Sequence, residues 1–169
     1  MCDLSEAERA ACLAASGAPA DLIAEVEALL AARRVLDGEQ SENVAGGYNE
    51  LGSAYHDAGD FRRAIENYRQ ALRLERQLHG ERGADYARPL NNLASAYEDM
   101  GDLAAAEPLF RESLAIRRAS LPADDPTVVR AENNLARVLV HRGRLGEAQP
   151  LLDHALEVRR ARLGAPGDA

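Results

Sequence analysis

A spacing of 42 residues runs through the whole chain and constrains its fold more than any other feature of the sequence. The residues that recur at this spacing form the columns Gly17, Gly59, Gly101 and Gly143; Leu30, Leu72, Leu114 and Leu156; Leu51, Leu93 and Leu135; Ala64, Ala106 and Ala148; and Arg34, Arg76, Arg118 and Arg160. Self-similarity at a fixed period of this length is typical of a solenoid or another repeat array. Four units of 42 residues account for nearly the whole chain of 169 residues.

The composition favours helices over strands. Hydrophobic residues make up 46% of the chain, but aromatic residues make up only 4%, and there is no tryptophan. Strands prefer aromatic and β-branched residues, whereas a composition rich in alanine and leucine suits closely packed helices. We therefore expect an all-helical chain. The chain has 20 arginines and no lysine, a bias that we attribute to a GC-rich bacterial genome.

Charge and cysteine content indicate the setting in which the chain works. The net charge of -8 disfavours binding to nucleic acid, which requires a basic surface that displaces counterions from phosphates. The only cysteines, Cys2 and Cys12, form neither a disulfide framework nor a zinc-binding spacing. The sequence contains no apolar run long enough to span a membrane and no secretory signal pattern. We expect a cytoplasmic protein that binds neither nucleic acid nor membrane.

Each unit contains two helical patterns, one on either side of its repeated glycine. Apolar residues recur at helical spacing in both, and the glycine between them interrupts the pattern. This predicts four helix–turn–helix hairpins, with helices over residues 5–16, 20–36, 46–58, 61–79, 86–100, 103–120, 127–142 and 145–162. Small residues recur at Gly52 and at Ala64 and their equivalents, which predicts that paired helices approach each other closely.

Several helix ends carry sequence signals of their own. Asp125 followed by Pro126 predicts the start of a helix. Glycines predict the ends of second helices, at Gly38, Gly80 and Gly164. Two prolines fall near the start of a second helix, at Pro108 and Pro150. Few backbone donors are lost there, so we expect a local adjustment and no break.

At these columns the chain resembles the tetratricopeptide repeat family. The 42-residue unit and strings such as Asn91-Asn92-Leu93-Ala94 and Leu114-Ala115-Ile116-Arg117-Arg118 are similar to the kinesin-light-chain type of repeat, which is common in bacterial proteins. The resemblance covers residues 46–163 and implies a right-handed α-solenoid of four hairpins. It implies a single domain over residues 1–169, in which residues 4–45 form a degenerate capping repeat and residues 46–87, 88–129 and 130–169 form regular repeats.

A polar stripe on the first helix of each unit is the candidate binding surface. Asparagine recurs at Asn49, Asn91 and Asn133 although it is a mediocre helix former. Its amide can both donate to and accept from a peptide backbone. The resemblance implies that this stripe lines a concave groove whose asparagines hold peptide ligands. The predicted groove residues are Asn49, Ser53, Arg88, Asn91, Asn92, Ser95, Arg130, Asn133, Asn134 and Arg137, with Asp57, Glu98, Asp99 and His141 at the rim.

Two interpretations of these polar residues stay open at this point. The asparagines either bind a peptide or bridge neighbouring helices within the solenoid. Likewise, Arg88, Arg130 and Arg137 either bind ligand carboxylates or are solvated surface residues. Some relatives bind the C-terminal carboxylate of a ligand through a clamp of Lys or Arg residues. This chain matches the clamp positions only at Arg130, with Asn92 as a partial second match.

The sequence points to a non-catalytic protein–protein interaction module that binds a peptide or partner protein in the concave groove. No phosphate-binding loop, nucleophile motif or close pair of metal ligands is present, so we expect no enzyme activity, no cofactor and no metal. One alternative is a regulatory or sensor subunit that recognises a small signalling peptide or metabolite. Another is a self-assembling structural scaffold.

The C-terminal unit carries apolar residues that no later helix covers. Leu152 and Leu156 belong to its second helix, and the sequence stops shortly afterwards. Solenoids normally end in a polar capping element, because the last repeat otherwise exposes its packing surface to water. We therefore expect either a homo-oligomer formed through the C-terminal repeat or a chain taken from a longer protein.

Overall fold

The computed structural model describes residues 20–81 and 83–164, and every regular element in this part is an α-helix. The helices are α1 (Ala20–Asp37), α2 (Glu42–Asp57), α3 (Phe61–His79), α4 (Ala84–Asp99), α5 (Leu103–Ser120), α6 (Pro126–His141) and α7 (Leu145–Gly164). The helix predicted over residues 5–16 lies outside the described residues. The other helices are confirmed.

The helices form consecutive hairpins. α2 pairs with α3, α4 with α5 and α6 with α7, and each hairpin packs on the next through the α3–α4 and α5–α6 contacts. We call α2, α4 and α6 the first helices, and α3, α5 and α7 the second helices. The first helices α2 and α4 also contact each other. Packing that links each hairpin to its neighbours is the architecture of an α-solenoid.

The start of α2 differs from the prediction. The sequence analysis predicts a start at residue 46, so that Gly46 and Gly47 form the first turn of the helix. The helix begins at Glu42, where the Oγ of Ser41 accepts a hydrogen bond from the backbone N–H of Val44. Gly47 is needed inside this helix, because a Cβ there would lie 2.8 Å from a methyl carbon of Leu30. Close packing against α1 therefore outweighs the low helix propensity of glycine.

The other helix ends largely follow the sequence. Asp125 caps α6 by accepting from the backbone N–H of Thr127 at 2.7 Å, as predicted. Gly38 and Gly80 end α1 and α3 in left-handed conformations, with φ of 83° and 78°. Gly164 is the last residue of α7, as predicted, but unlike Gly38 and Gly80 its backbone is not left-handed.

Small residues set the spacing within the hairpins, as predicted. A Cβ at Gly52 of α2 would lie 2.7 Å from ring carbons of Tyr68 on α3. Ala64 and Ala106 are fully buried at the same place in α3 and α5. The prolines Pro108 and Pro150 lie inside α5 and α7 without breaking either helix. The hairpins therefore keep a common geometry, which lines up the first helices side by side.

Candidate functional site

The polar stripe predicted from the sequence lies on the first helices. We call its ten residues the first-helix surface: Asn49, Ser53, Arg88, Asn91, Asn92, Ser95, Arg130, Asn133, Asn134 and Arg137. Each hairpin contributes residues at equivalent helix positions, because the hairpins share one spacing. The exposure of the stripe is uneven. Asn49 is buried, with 8% of its surface exposed, whereas Arg88, Arg130 and Asn133 are exposed.

Two asparagine pairs join successive first helices. The Nδ2 of Asn92 on α4 donates to Oδ1 of Asn49 on α2 at 3.0 Å. The Nδ2 of Asn134 on α6 donates to Oδ1 of Asn91 on α4, also at 3.0 Å. The interpretation in which these asparagines bridge neighbouring helices is therefore confirmed for both pairs. We call them the asparagine ladder.

The serines of the surface bond to their own helices. The hydroxyl of Ser53 donates to the carbonyl of Asn49, and that of Ser95 donates to the carbonyl of Asn91, both at 3.1 Å. Ser53 also accepts a hydrogen bond from the hydroxyl of Tyr68 at 3.2 Å. The serine hydroxyls thus complete the local hydrogen bonding of α2 and α4.

One of the three predicted arginines is already engaged with an acid. Arg137 forms two hydrogen bonds to the carboxylate of Glu98, at 2.6 and 2.7 Å. These bonds raise the pKa of Arg137 and outweigh the opposing effect of burial. A bidentate pair of this kind fixes both side chains in one geometry. Arg137 and Glu98 therefore form a bridge between α6 and α4.

The other two arginines of the surface have no acid at bonding distance. Among the described residues, neither Arg88 nor Arg130 takes part in a hydrogen bond or ion pair. Arg117 of α5, which is 8% exposed, is close enough for its charge to interact with that of Arg130. Burial lowers the pKa of Arg117 and the charge of Arg130 lowers it further, although Asp125 opposes both effects. The region around Arg130 thus favours an anion.

The predicted rim residues are brought together only in part. Asp99 lies 2.8 Å from the Nε2 of His56, but the two atoms are not aligned for a hydrogen bond. Asp57 lies 3.9 Å from the Nδ1 of the same histidine. His141 is exposed and has no hydrogen-bond or ion-pair partner in the described part of the chain. No group of three or more potential metal ligands occurs within residues 20–81 and 83–164.

Sequence reasoning missed the buried charges of the second helices. Glu75 of α3 is 4% exposed, and its Oε2 has no hydrogen-bond partner. Burial raises the pKa of Glu75, with a further rise from Asp85. Glu107 of α5 is also buried, but it is surrounded by arginines. The helical pattern gives no signal for Glu75, because a charge at one buried position is lost among the many charges of an amphipathic helix.

A scan of protein families matches the chain to the tetratricopeptide repeat over residues 43–119 and again over residues 131–168. No protein with a curated function matches the sequence. Among solved structures, the chain is similar to BtubC (BKLC) from P. vanneervenii at 26% identity and a TM-score of 0.75, over 87% of this chain and 59% of that one.

A second solved structure, the nearly identical TPR-like repeats of a kinesin light chain-like protein from Podosopora anserina, is similar in fold. The identity is 21% and the TM-score 0.67, over 85% of this chain and 68% of that one. The chain thus spans about three fifths of the length of the BtubC structure. In the described residues, no helix is both long and apolar enough to cross a membrane. From its matched repeats and its fold, the chain belongs to the tetratricopeptide repeat family.

Proposed function

We propose that this protein is a non-catalytic module that binds an extended peptide segment of a partner protein along the first-helix surface. Repeats of this family generally mediate protein–protein interactions. The observation that carries the proposal is the pair Arg88 and Arg130. They occupy equivalent positions on α4 and α6, and neither forms a hydrogen bond or ion pair with another described residue, although the charge of Arg88 interacts with that of Glu75.

In this proposal the asparagine ladder orients amides for the ligand backbone. Asn91 uses its Oδ1 to accept from Asn134, which leaves its own Nδ2 to donate to a ligand carbonyl. Asn133 has both its donor and its acceptor available, since it makes no hydrogen bond within the described residues. Asn49 is too buried to reach a ligand and supports the ladder instead. The bridging and binding roles of the asparagines are therefore compatible.

The ligand that this surface favours is acidic. Arg130 is exposed and makes no ion pair among the described residues, and the charge of Arg117 adds to the positive potential around it. Arg88 offers a second cation on the neighbouring first helix. Arg137 is tied to Glu98, so its role is to position that part of the surface and not to bind the ligand directly. Rim acids such as Asp57 favour a basic residue at one end of the same ligand.

The experiment is a peptide-array screen of the folded protein, followed by titration of the best ligand. We expect acidic peptides to be enriched, and we expect Arg88→Ala with Arg130→Ala to weaken binding by about tenfold or more. Arg73→Ala is the matched control, because Arg73 is an exposed arginine of α3 without an ion pair in the described chain. Equal weakening by both sets of changes excludes the first-helix surface as the binding site.

Two further aspects of the sequence predictions remain proposals. The cysteine content supports a cytoplasmic location. Self-association through the C-terminal repeat has an apolar surface available, since Leu152 and Leu156 are 42% and 45% exposed. The same surface carries Arg130 and Arg159, however, so a symmetric pairing of two copies brings like charges together. Sedimentation velocity over a range of protein concentrations tests whether the chain self-associates.

A further inference from the structure

The C-terminal hairpin exposes residues that the preceding hairpin keeps buried. Phe110 of α5 is fully buried, whereas Leu152, which is 42 residues later on α7, is 42% exposed. Leu114 and Leu156 show the same difference, with 4% and 45% of their surfaces exposed. The difference arises because α6 packs on α5, while no helix within the described residues packs on the outer side of α7.

The contacts that α6 makes with α4 and α5 show which chemical groups bind to the equivalent surface of the preceding hairpin. Leu114 of α5 packs in one apolar cluster with residues of α6. The Nη2 of Arg118 donates to the buried carboxylate of Glu132 on α6 at 2.7 Å. Asn91 accepts from the amide of Asn134 at 3.0 Å. An apolar contact, a carboxylate and an amide donor therefore hold α6 in place.

The residues that receive α6 recur without change on the C-terminal hairpin. On the covered hairpin Asn91, Leu114 and Arg118 contact α6, whereas the adjacent Arg117 bonds within its own hairpin; 42 positions later the equivalents are Asn133, Leu156, Arg160 and Arg159. We call the second set the terminal face. All four of its members are exposed, and none of its three polar side chains forms a hydrogen bond or ion pair in the part of the chain that the structure describes. The terminal face thus repeats the chemistry that binds α6.

The shape and charge of this region fit a helix with acidic residues. A cleft of about 450 Å³ runs between α6 and α7, and its lining includes Leu156 together with Arg130, Arg159 and Arg162. Arg162 donates to the carbonyl of Asp124. Neither Arg130 nor Arg159 has an acidic partner among the described residues. The lining of the cleft therefore combines apolar side chains with positively charged ones.

We infer that the terminal face binds an acidic amphipathic helix of a partner protein, in the position that α6 takes on α5. The partner helix places an apolar side chain over Leu156 and a carboxylate against Arg160, as Glu132 does against Arg118. It also donates an amide hydrogen bond to the Oδ1 of Asn133. A second copy docked through its own terminal face does not fit, because Arg159 and Arg160 of both copies would meet.

The α6 sequence itself is the natural probe. A fluorescein-labelled peptide of residues 124–141, with a hydrocarbon link between positions 133 and 137 to hold it helical, is titrated with the full chain and followed by anisotropy. Leu156→Glu and Arg160→Glu should each weaken binding by about tenfold or more. The peptide with Glu132→Arg should restore binding to the Arg160→Glu protein. Circular dichroism checks that both protein variants stay folded.

Matched controls separate this face from its surroundings and from the first-helix surface. Leu163→Glu should leave the affinity unchanged, because Leu163 is 80% exposed on the same helix and does not line the cleft. Arg88→Ala should also leave the affinity for the α6 peptide unchanged. A failure of the terminal face to bind a helix is therefore distinguishable from a failure of the first-helix surface to bind a peptide. Unchanged binding in the Leu156→Glu protein, or absence of saturable binding at millimolar concentration, overturns the inference. If the chain without peptide forms a dimer, and Leu156→Glu dissociates that dimer, the inference is overturned and the terminal face binds a second copy instead.

Discussion

The amide of Asn134 on α6 donates a hydrogen bond to the side-chain oxygen of Asn91 on α4, and Asn92 repeats this bond to Asn49 one hairpin earlier. The bonds connect first helices that are separated in sequence by a whole second helix. They therefore fix the relative position of successive hairpins, and with it the spacing of the groups that a ligand meets.

The first prediction concerns the stability that the ladder provides. Asn91→Ala leaves the partly buried amide of Asn134 without its acceptor, so the free energy of unfolding should fall by about 1 kcal/mol. Urea denaturation of Asn91→Ala, Asn134→Ala and the double variant measures the coupling between the two residues. Asn133→Ala is the control and should have little effect, since Asn133 is exposed and unbonded within the described chain. An equal loss in the control contradicts the ladder.

The second prediction concerns the small residues between paired helices. Ala106 of α5 is fully buried, so Ala106→Leu should overpack the core and lower the free energy of unfolding by about 1–3 kcal/mol. Ala104 is exposed on the same helix, and Ala104→Leu should be close to neutral. Thermal and urea denaturation of the two variants provide the comparison. Two variants of equal stability are incompatible with close packing at position 106.

The third prediction concerns Glu75, whose buried carboxyl has an unpaired oxygen. Burial raises its pKa above the ordinary value of 4.5, with a smaller contribution from Asp85. The stability that the neutral carboxyl contributes is therefore fully present below about pH 4.5 and is lost as the pH rises through the folded-state pKa. Glu75→Gln should stabilise the protein at pH 7 by about 1–3 kcal/mol, because no charge is then buried.

Denaturation at several pH values tests this prediction. The advantage of Glu75→Gln over the wild type should shrink as the pH falls through the raised pKa of Glu75. Glu66→Gln is the matched control, since Glu66 is an exposed acid on the same helix, and it should show no such trend. A destabilised Glu75→Gln variant at pH 7 indicates that the carboxylate has a stabilising partner in solution.

The fourth prediction concerns Glu107, whose pKa is shifted in the opposite direction to that of Glu75. Its carboxylate accepts hydrogen bonds from Arg111, Arg142 and Arg144, at 2.6–2.8 Å. Burial pushes the pKa of Glu107 up, but the hydrogen bonds and charges of Arg111 and Arg144 outweigh burial and hold it below 4.5. The stability that the Glu107 carboxylate contributes is present above about pH 4.5 and is lost as the pH falls through its folded-state pKa.

Glu107→Gln should therefore lower the free energy of unfolding at pH 7 by about 1–3 kcal/mol, and the loss should diminish in acid. The cost stays below that of a fully buried pair, because the three arginines are partly exposed and can be hydrated. Glu157→Gln, at an exposed acid of α7, is the comparison and should behave as the wild type. A pH-independent difference between Glu107→Gln and wild type refutes the assigned charge state.

The repeat spacing predicted the helices well, because columns such as Ala64 and Ala106 report directly on the packing between paired helices. It misplaced the start of α2, because it did not identify Ser41 as the residue that caps this helix. It predicted which residues share the first-helix surface but left the partners of Asn92 and Arg137 undetermined. Those partners lie about 40 residues away, and helical periodicity contains no information on which side chains meet across hairpins.

Binding along the first-helix surface is tested most directly by mapping where the best acidic peptide from the array binds, through amide chemical-shift changes in the ¹⁵N-labelled chain. We expect changes along α4 and α6 that include Arg88, Asn91, Arg130 and Asn133. We also expect loss of those changes in the Arg88→Ala, Arg130→Ala protein and their retention in Arg73→Ala. Changes confined to the second helices, or a preference of the array for basic peptides, contradict binding of an acidic peptide along this surface.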